Sequence, residues 1–221
     1  MVHTCVAKFE GRVNIQYTCE CIENKMTRIY TLKRRAEQQA ETRRRIVEAA
    51  VELHGSIGPA QTTVSMVAER AGVQRHTFYA HFPDERSLLL ACSGLAAERD
   101  PLPDAQAWRN IDEPRERLRV GLRAIYDWYE RNAELTACVM RDAEYHALTR
   151  EISELRIAPI MASNHQVLGA KLNAKQRALL PLAISFFTWR TLAREGGLKP
   201  GAAVAAMVQT IHAARDLKAA R

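Results

Sequence analysis

Thr63-Val64-Ser65-Met66-Val67-Ala68-Glu69-Arg70-Ala71-Gly72-Val73-Gln74-Arg75-His76-Thr77-Phe78-Tyr79-Ala80-His81-Phe82 places two short helical patterns on either side of a glycine. Val64, Val67, Ala68 and Ala71 fall at i, i+3, i+4 and i+7, one face of a helix that Thr63 is suited to cap. Gly72 tolerates a left-handed backbone, so the chain turns sharply there and Val73 plugs between the helices. The second helix is expected over residues 74–81. Phe78 and Phe82, one turn apart, take its buried side and leave Gln74, Arg75, His76, Thr77 and Tyr79 pointing outward. Pro83-Asp84 then opens another helix through Leu88, Leu89, Leu90 and Cys92.

Working outward, helical periodicity dominates from about Lys33, and no later stretch alternates as a strand would, so the fold class is all-α. A first helix reads from about residue 36 to 55, with Ile46, Ala49, Ala50 and Leu53 as its stripe. Residues 1–25 lack such a stripe. They read as a poorly ordered tail, or as a reading frame begun too early with Met26 as the alternative start. Pro101, Pro103 and Pro114 mark a linker zone. Beyond it, Leu118, Leu122, Ile125 and Tyr129 form one stripe; Leu135, Cys138 and Val139 belong to a second helix, Ile152 and Leu155 to a third. One helix over residues 174–195 carries Leu179, Leu182, Phe186 and Trp189. Another, over residues 202–217, carries Val204, Val208 and Ile211. Their small residues suit pairing with a second copy as a four-helix bundle.

The 221 residues are 47% hydrophobic and 26% charged, the balance of a folded globular protein. No apolar run is long enough to cross a membrane. The first 25 residues, broken by Lys8, Glu10, Arg12 and Glu20, lack the apolar centre of a secretory signal, so a cytoplasmic location is expected. The net charge is +7, and residues 28–45 hold seven basic residues against Glu37 and Glu41. Such a concentration favours a polyanionic partner. Five cysteines, Cys5, Cys19, Cys21, Cys92 and Cys138, read as reduced thiols, and Cys19-x-Cys21 has no partners at zinc-site spacing, so no metal is expected. With no Gly-rich phosphate loop or nucleophile elbow, no cofactor and no enzymatic activity are expected either.

Two short helices joined by a tight turn suit the DNA major groove, which admits one helix. Gln74, Arg75 and His76, at the start of the second helix, offer donors to guanine N7 and O6 or a match to adenine N7 and N6. Tyr79 and His81 stand one turn further on, placed for backbone phosphates. Thr63 either binds a phosphate or simply caps its helix.

The run Thr62-Thr63-Val64-Ser65-Met66-Val67-Ala68-Glu69-Arg70-Ala71-Gly72-Val73, followed by Thr77-Phe78-Tyr79-Ala80-His81-Phe82, resembles the reader of the tetracycline-repressor (TetR) family. The likeness reaches back to Thr42-Arg43-x-x-Ile46 and forward to Leu88. A looser one covers Phe187-x-Trp189-Arg190-x-Leu192-Ala193-Arg194-Glu195-Gly196-Gly197-Leu198, similar to the C-terminal dimer helices of some members. The resemblance implies an all-α homodimer that binds a double-stranded DNA operator, mostly represses transcription and responds to a small-molecule effector. Its domains would be a disordered extension over residues 1–33, a helix-turn-helix domain over 34–88 and an effector-binding and dimerisation domain over 89–221. It implies phosphate contacts at Thr63, Thr77, Tyr79 and His81, base contacts around Gln74, Arg75 and His76, and a place for Arg43 in the DNA-binding set. Two positions depart from the pattern. His76 stands where members usually have a small residue, and Glu85 where they usually have lysine; Glu85 repels phosphate, so that contact passes to Arg86 or is lost.

For the effector, the polar and aromatic residues set among apolar helical positions are the candidates: Trp128, Tyr129, Cys138, Arg141, Asp142, Tyr145, His146 and Trp189. The aromatics serve equally as core, and Arg141 with Asp142 as a structural ion pair. Other readings are an architectural DNA binder without an effector, an enzyme using Cys138, Asp142 and His146, and a thiol sensor built on Cys138 beside Arg141.

Overall fold

The computed structural model describes residues 16–214, with side chains from Tyr30 onward. Expectations for residues 1–15, and for the side chains of Cys5, Cys19 and Cys21, lie outside the described residues. Every regular element described is helical. The chain divides between Arg44 and Arg45 into two compact units.

Helix α1 runs over Gln16–Ser56. The sequence pattern starts it near residue 36 and leaves residues 1–33 as a poorly ordered extension, whereas the backbone is helical from Gln16. No glycine or proline occurs between Val13 and His54 to interrupt it. Within the first unit the side chains of residues 30–41 are exposed, and local pairs support the turns. Lys33 lies 4.0 Å from Glu37, Arg44 lies 2.7 Å from Glu41, and Thr42 Oγ1 donates to Gln38 O. A solvated helix of this kind needs no apolar stripe, so periodicity does not announce it.

The second unit holds two apolar clusters. The first joins Ile46, Ala49, Ala50 and Leu53 of α1 to α2 (Val64–Arg70), α3 (Arg75–His81) and α4 (Glu85–Arg99). A 3-10 turn, Pro59–Gln61, connects α1 to α2. Phe78 and Phe82 are 1% and 0% exposed, and burying each contributes roughly 1.5–3 kcal/mol.

The second cluster is built on α5 (Pro114–Arg131), with α6 (Ala133–Ala143) and α7 (Ala147–Leu168), and, after the short α8 (Ala174–Ala178), with α9 (Leu180–Ala183), α10 (Phe186–Arg190) and α11 (Pro200–Ala213). Val204, Val208 and Ile211 of α11 are buried within this cluster. The linker zone of prolines holds a further 3-10 turn, Ala105–Trp108, whose Trp108 is buried.

The single helix expected over residues 174–195 is broken into α8, α9, α10 and a π-helical turn, Thr191–Glu195. Pro181 at the start of α9 brings no amide hydrogen, and Ser185 recaps the chain by accepting from the Phe187 amide at 3.2 Å. The turn between α9 and α10 is closed from outside. Tyr126 and Tyr129 donate their hydroxyls to Ala183 O and Ile184 O at 2.8 and 2.7 Å, and burial raises the pKa of both phenols, keeping them protonated donors. The break also turns Leu182, expected on the buried stripe, out to solvent at 51% exposure, while Phe186 and Trp189 stay buried.

Candidate nucleic-acid interface and buried cavity

The turn between α2 and α3 follows from Gly72, whose φ is +64°. The Gly72 amide reaches back to Glu69 O and the Val73 amide to Ala68 O, the paired bonds of a helix end closed by a left-handed residue. Arg45 Nη1 donates to Ala71 O at 3.1 Å, satisfying another carbonyl of that end. Gln74 is the N-cap residue of α3, and its side chain makes no cap bond. Gln74, Arg75 and His76 are exposed, Thr77 and His81 half-buried, and Tyr79 47% exposed with its ring edge against Phe78. A seven-residue helix thus carries its apolar pair on one side and a polar, donor-rich edge on the other. Thr63 caps α2, its hydroxyl accepting from the Met66 amide at 3.3 Å, and its own proton remains for another acceptor. Arg43 lies in the other unit and is exposed on α1.

Arg86 and Glu85 are both engaged by the second cluster. Arg86 lies 2.9 Å from Glu151, and Glu85 lies 3.5 Å from His146 Nε2. Arg86 therefore points toward α7 rather than standing as a plain substitute for a phosphate-binding lysine.

A cavity of about 680 Å³ opens among α4, α5, α6, α7 and the α9–α10 turn. Its walls are mostly apolar, with Leu89, Leu135, Val139, Ile157 and Phe186 among them, and Val51 and His54 of α1 together with Pro59 reach it from the first cluster. His54 is 5% exposed; burial drives its pKa down to about 4 against the opposing pull of Asp142, so the imidazole is neutral near pH 7.

Of the residues expected around an effector, Trp128 and Tyr129 line this cavity and the others do not. Asp142 is wholly buried, and its carboxylate accepts from the Ala60 amide, Arg141 Nε and Tyr145 Oη at 2.9, 2.8 and 2.7 Å. Arg141 also donates to Ile57 O at 2.7 Å. Cys138 Sγ lies 3.5 Å from Gly55 O, and His146 Nδ1 pairs with Thr149 Oγ1 at 2.7 Å. Trp189 is core, stacked near Tyr129 and Phe186. The structure thus gathers Arg141, Asp142 and Tyr145 around the loop after α1, and the carboxylate of Asp142 is bound by neither Cys138 nor His146. Among the described residues no group of three His, Cys, Asp or Glu is arranged to hold a metal ion, and no helix is long and apolar enough to cross a membrane.

Residues 46–92 match the family described as bacterial regulatory proteins, tetR family. This segment of the chain is a TetR-family helix-turn-helix. The match covers the whole of α2, α3 and the turn between them. Across a longer span the chain is 27% identical over 154 residues to the HTH-type transcriptional regulator TtgR of Pseudomonas putida, covering 68% of this chain and 73% of that one. Its fold is similar to the multidrug binding protein EbrR complexed with imidazole, with a TM-score of 0.55 at 17% identity, covering 80% and 92% of the two chains. It is also similar to a transcriptional regulator of the TerR/AcrR family from Aquifex aeolicus VF5, with a TM-score of 0.51 at 17% identity, covering 78% and 98%. With this segment and these relatives, the protein is a transcriptional regulator.

Sequence reasoning missed His54, Asp100, Thr136, Ser153, Arg156 and His165 as cavity residues. On α6 the cavity lies against another side than the residues the sequence suggested. Asn132, Leu135, Thr136, Val139 and Met140 line the cavity, and their centre lies roughly 140° around the helix from that of Cys138, Arg141, Asp142 and Tyr145, at 100° per residue.

Proposed function

We propose that the protein is a repressor that binds a palindromic operator as a homodimer and is released by a small-molecule effector held in the cavity of about 680 Å³. Two copies of α3 enter successive major grooves about 34 Å apart, with Gln74, Arg75 and His76 at base edges. Thr63, Thr77, Tyr79 and His81 hold the flanking phosphates, and Arg43, in the other unit, is by itself a further candidate for the nucleic acid. The observation that carries the reading is the two-sided α3: Phe78 and Phe82 are buried while Gln74, Arg75 and His76 are exposed at the helix start, where a groove-reading helix needs its donors.

The exposed apolar side chains Leu182, Phe187 and Leu198 favour pairing of two copies through the C-terminal segment. Release works by linkage: a ligand that favours one spacing of the two α3 helices over another changes operator affinity without touching DNA. The cavity is suited to this, since it shares His54 and Pro59 with the segment leading into α2. We assign the helix-turn-helix domain to residues 34–88 and the effector and dimer functions to residues 89–221.

Selection of bound sites from random duplexes, followed by footprinting, tests the proposal. A protected palindrome with half-sites one helical turn apart is expected. Uniform coverage without sequence preference would overturn the repressor in favour of an architectural binder.

A further inference from the structure

We infer that the cavity takes an uncharged, largely apolar molecule bearing one or two hydrogen-bonding groups. This rests on the reading of the cavity as the effector site and narrows it to a class of ligand. At about 680 Å³ the space is in the range that encloses a drug-sized molecule. Its walls come from Leu, Ile, Val, Met and aromatic side chains of six helices, which favour hydrocarbon and aromatic surface.

The charged groups that reach the cavity are already hydrogen-bonded, and the acidic one is paired with a cation. Asp100 is held by Arg131 through two bonds of 2.9 and 3.0 Å and by Asn132 Nδ2 at 2.7 Å. Arg156 is exposed, and it donates to Leu90 O and Ser93 Oγ at 3.1 and 3.3 Å. The two histidines in the lining, His54 and His165, both have pKa values lowered by burial, so neither supplies a cation near neutral pH. A cationic ligand would therefore lose its hydration against apolar walls without gaining a counter-ion, and an anionic one would gain only Arg156, which is exposed to water and already bonded to two neutral acceptors, so either charge is unfavourable there.

Polar recognition remains, through neutral groups. The hydroxyls of Thr136 and Ser153 line the cavity from α6 and α7 and make no hydrogen bond to another described residue, so each is available as donor or acceptor. A ligand with one or two carbonyl, ether, hydroxyl or amine-like neutral groups satisfies them.

The test uses the full chain and two fluorescent probes sharing one skeleton. N-phenyl-1-naphthylamine is uncharged, and 8-anilinonaphthalene-1-sulfonate adds a sulfonate; ethidium serves as a cation of similar size. The neutral probe is expected to bind at least 10-fold more tightly than either ion, and Asp100→Asn, which uncovers Arg131, to narrow its advantage over the sulfonate. Ile157→Arg is expected to abolish neutral binding while circular dichroism stays unchanged. Should that variant unfold, Ser153→Glu on the same wall gives the same reading. Equal or tighter binding of either ion, failure of the neutral probe to bind, or neutral binding that survives both wall variants overturns the inference. The reading of the cavity as an effector site fails separately: a neutral probe that binds as expected but leaves operator affinity unchanged refutes the effector role alone.

Discussion

The carboxylate of Asp142, on α6, accepts the backbone amide of Ala60 at 2.9 Å across 82 residues of chain. The same carboxylate is bound by Arg141 and Tyr145, and Arg141 reaches on to Ile57 O. The segment that leads into α2 is thereby fastened to the helix whose opposite flank lines the cavity. Burial pulls the Asp142 pKa upward, but the hydrogen bonds from Tyr145, Ala60 and Arg141 outweigh it and the net direction is down. Asp142→Asn should destabilise the protein by about 2–4 kcal/mol in urea unfolding. Because the native carboxylate is the more acidic one, its stabilisation is complete above about pH 5 and is lost as pH falls through the ordinary carboxylate range near 4 and below.

Gly58 and Gly72 both hold positive φ, at 99° and 64°, yet they should answer substitution differently. A Cβ on Gly72 meets nothing nearer than Arg45 Nη1 at 3.7 Å, so Gly72→Ala carries chiefly the backbone cost of about 1–2 kcal/mol. A Cβ on Gly58 would fall inside contact distance of Arg141 Nη2 and Asp142 Oδ2. Gly58→Ala should therefore lose at least about 1 kcal/mol more than Gly72→Ala in thermal or urea unfolding. Equal losses would show that the loop gives way without strain.

His54 gives the protein an acid-sensitive flank. Its pKa falls from 6.5 in the unfolded chain to about 4 in the folded one, because burial penalises the cation. The unfolded state then binds the extra proton between those values, so stability is full above pH 6.5 and falls as pH drops toward 4. Between pH 7 and pH 5 the loss should be about 2 kcal/mol. His54→Leu, neutral at every pH, should flatten that part of the profile; an unchanged slope would assign the acid sensitivity elsewhere.

Arg75 and Tyr79 separate base reading from phosphate contact. Arg75→Ala should weaken operator binding by about 1–3 kcal/mol and relax preference at one base pair, whereas Tyr79→Phe should weaken all duplexes alike. Gel-shift titrations against the selected operator and a scrambled duplex check both, and an Arg75 variant with full selectivity would mean that another flank of α3 faces the bases.

The region around α2 and α3 was legible because its determinants are local. The spacing of Val64, Val67, Ala68 and Ala71, the glycine at 72 and the pair Phe78 and Phe82 specify two helices and a turn within twenty residues. The cavity was not. Which side of α6 faces it depends on the loop around Ala60, which draws Arg141 and Asp142 to itself and leaves Leu135 and Val139 on the wall. The break between α9 and α10 was hidden for a related reason. The apolar period of Leu179, Leu182, Phe186 and Trp189 runs across it, and the hydroxyls that close it belong to Tyr126 and Tyr129, more than fifty residues earlier. Residues 30–41 of α1 showed the converse, a solvated stretch of helix held by charge pairs and by the lack of any breaker, where a search for stripes finds nothing.

Glu85 faces His146 and Arg86 faces Glu151, so the first turn of α4 brings no surplus cation to a nucleic-acid backbone. Each phosphate left without a protein cation keeps its condensed counterion, and that ion is not released on complex formation. The dependence of log affinity on log salt should accordingly be shallower than with a lysine at position 85, and Glu85→Lys should steepen it by about 0.9 per half-site. A regulator constructed this way gives up some electrostatic grip and in return holds its affinity more evenly as the ionic strength around it rises and falls.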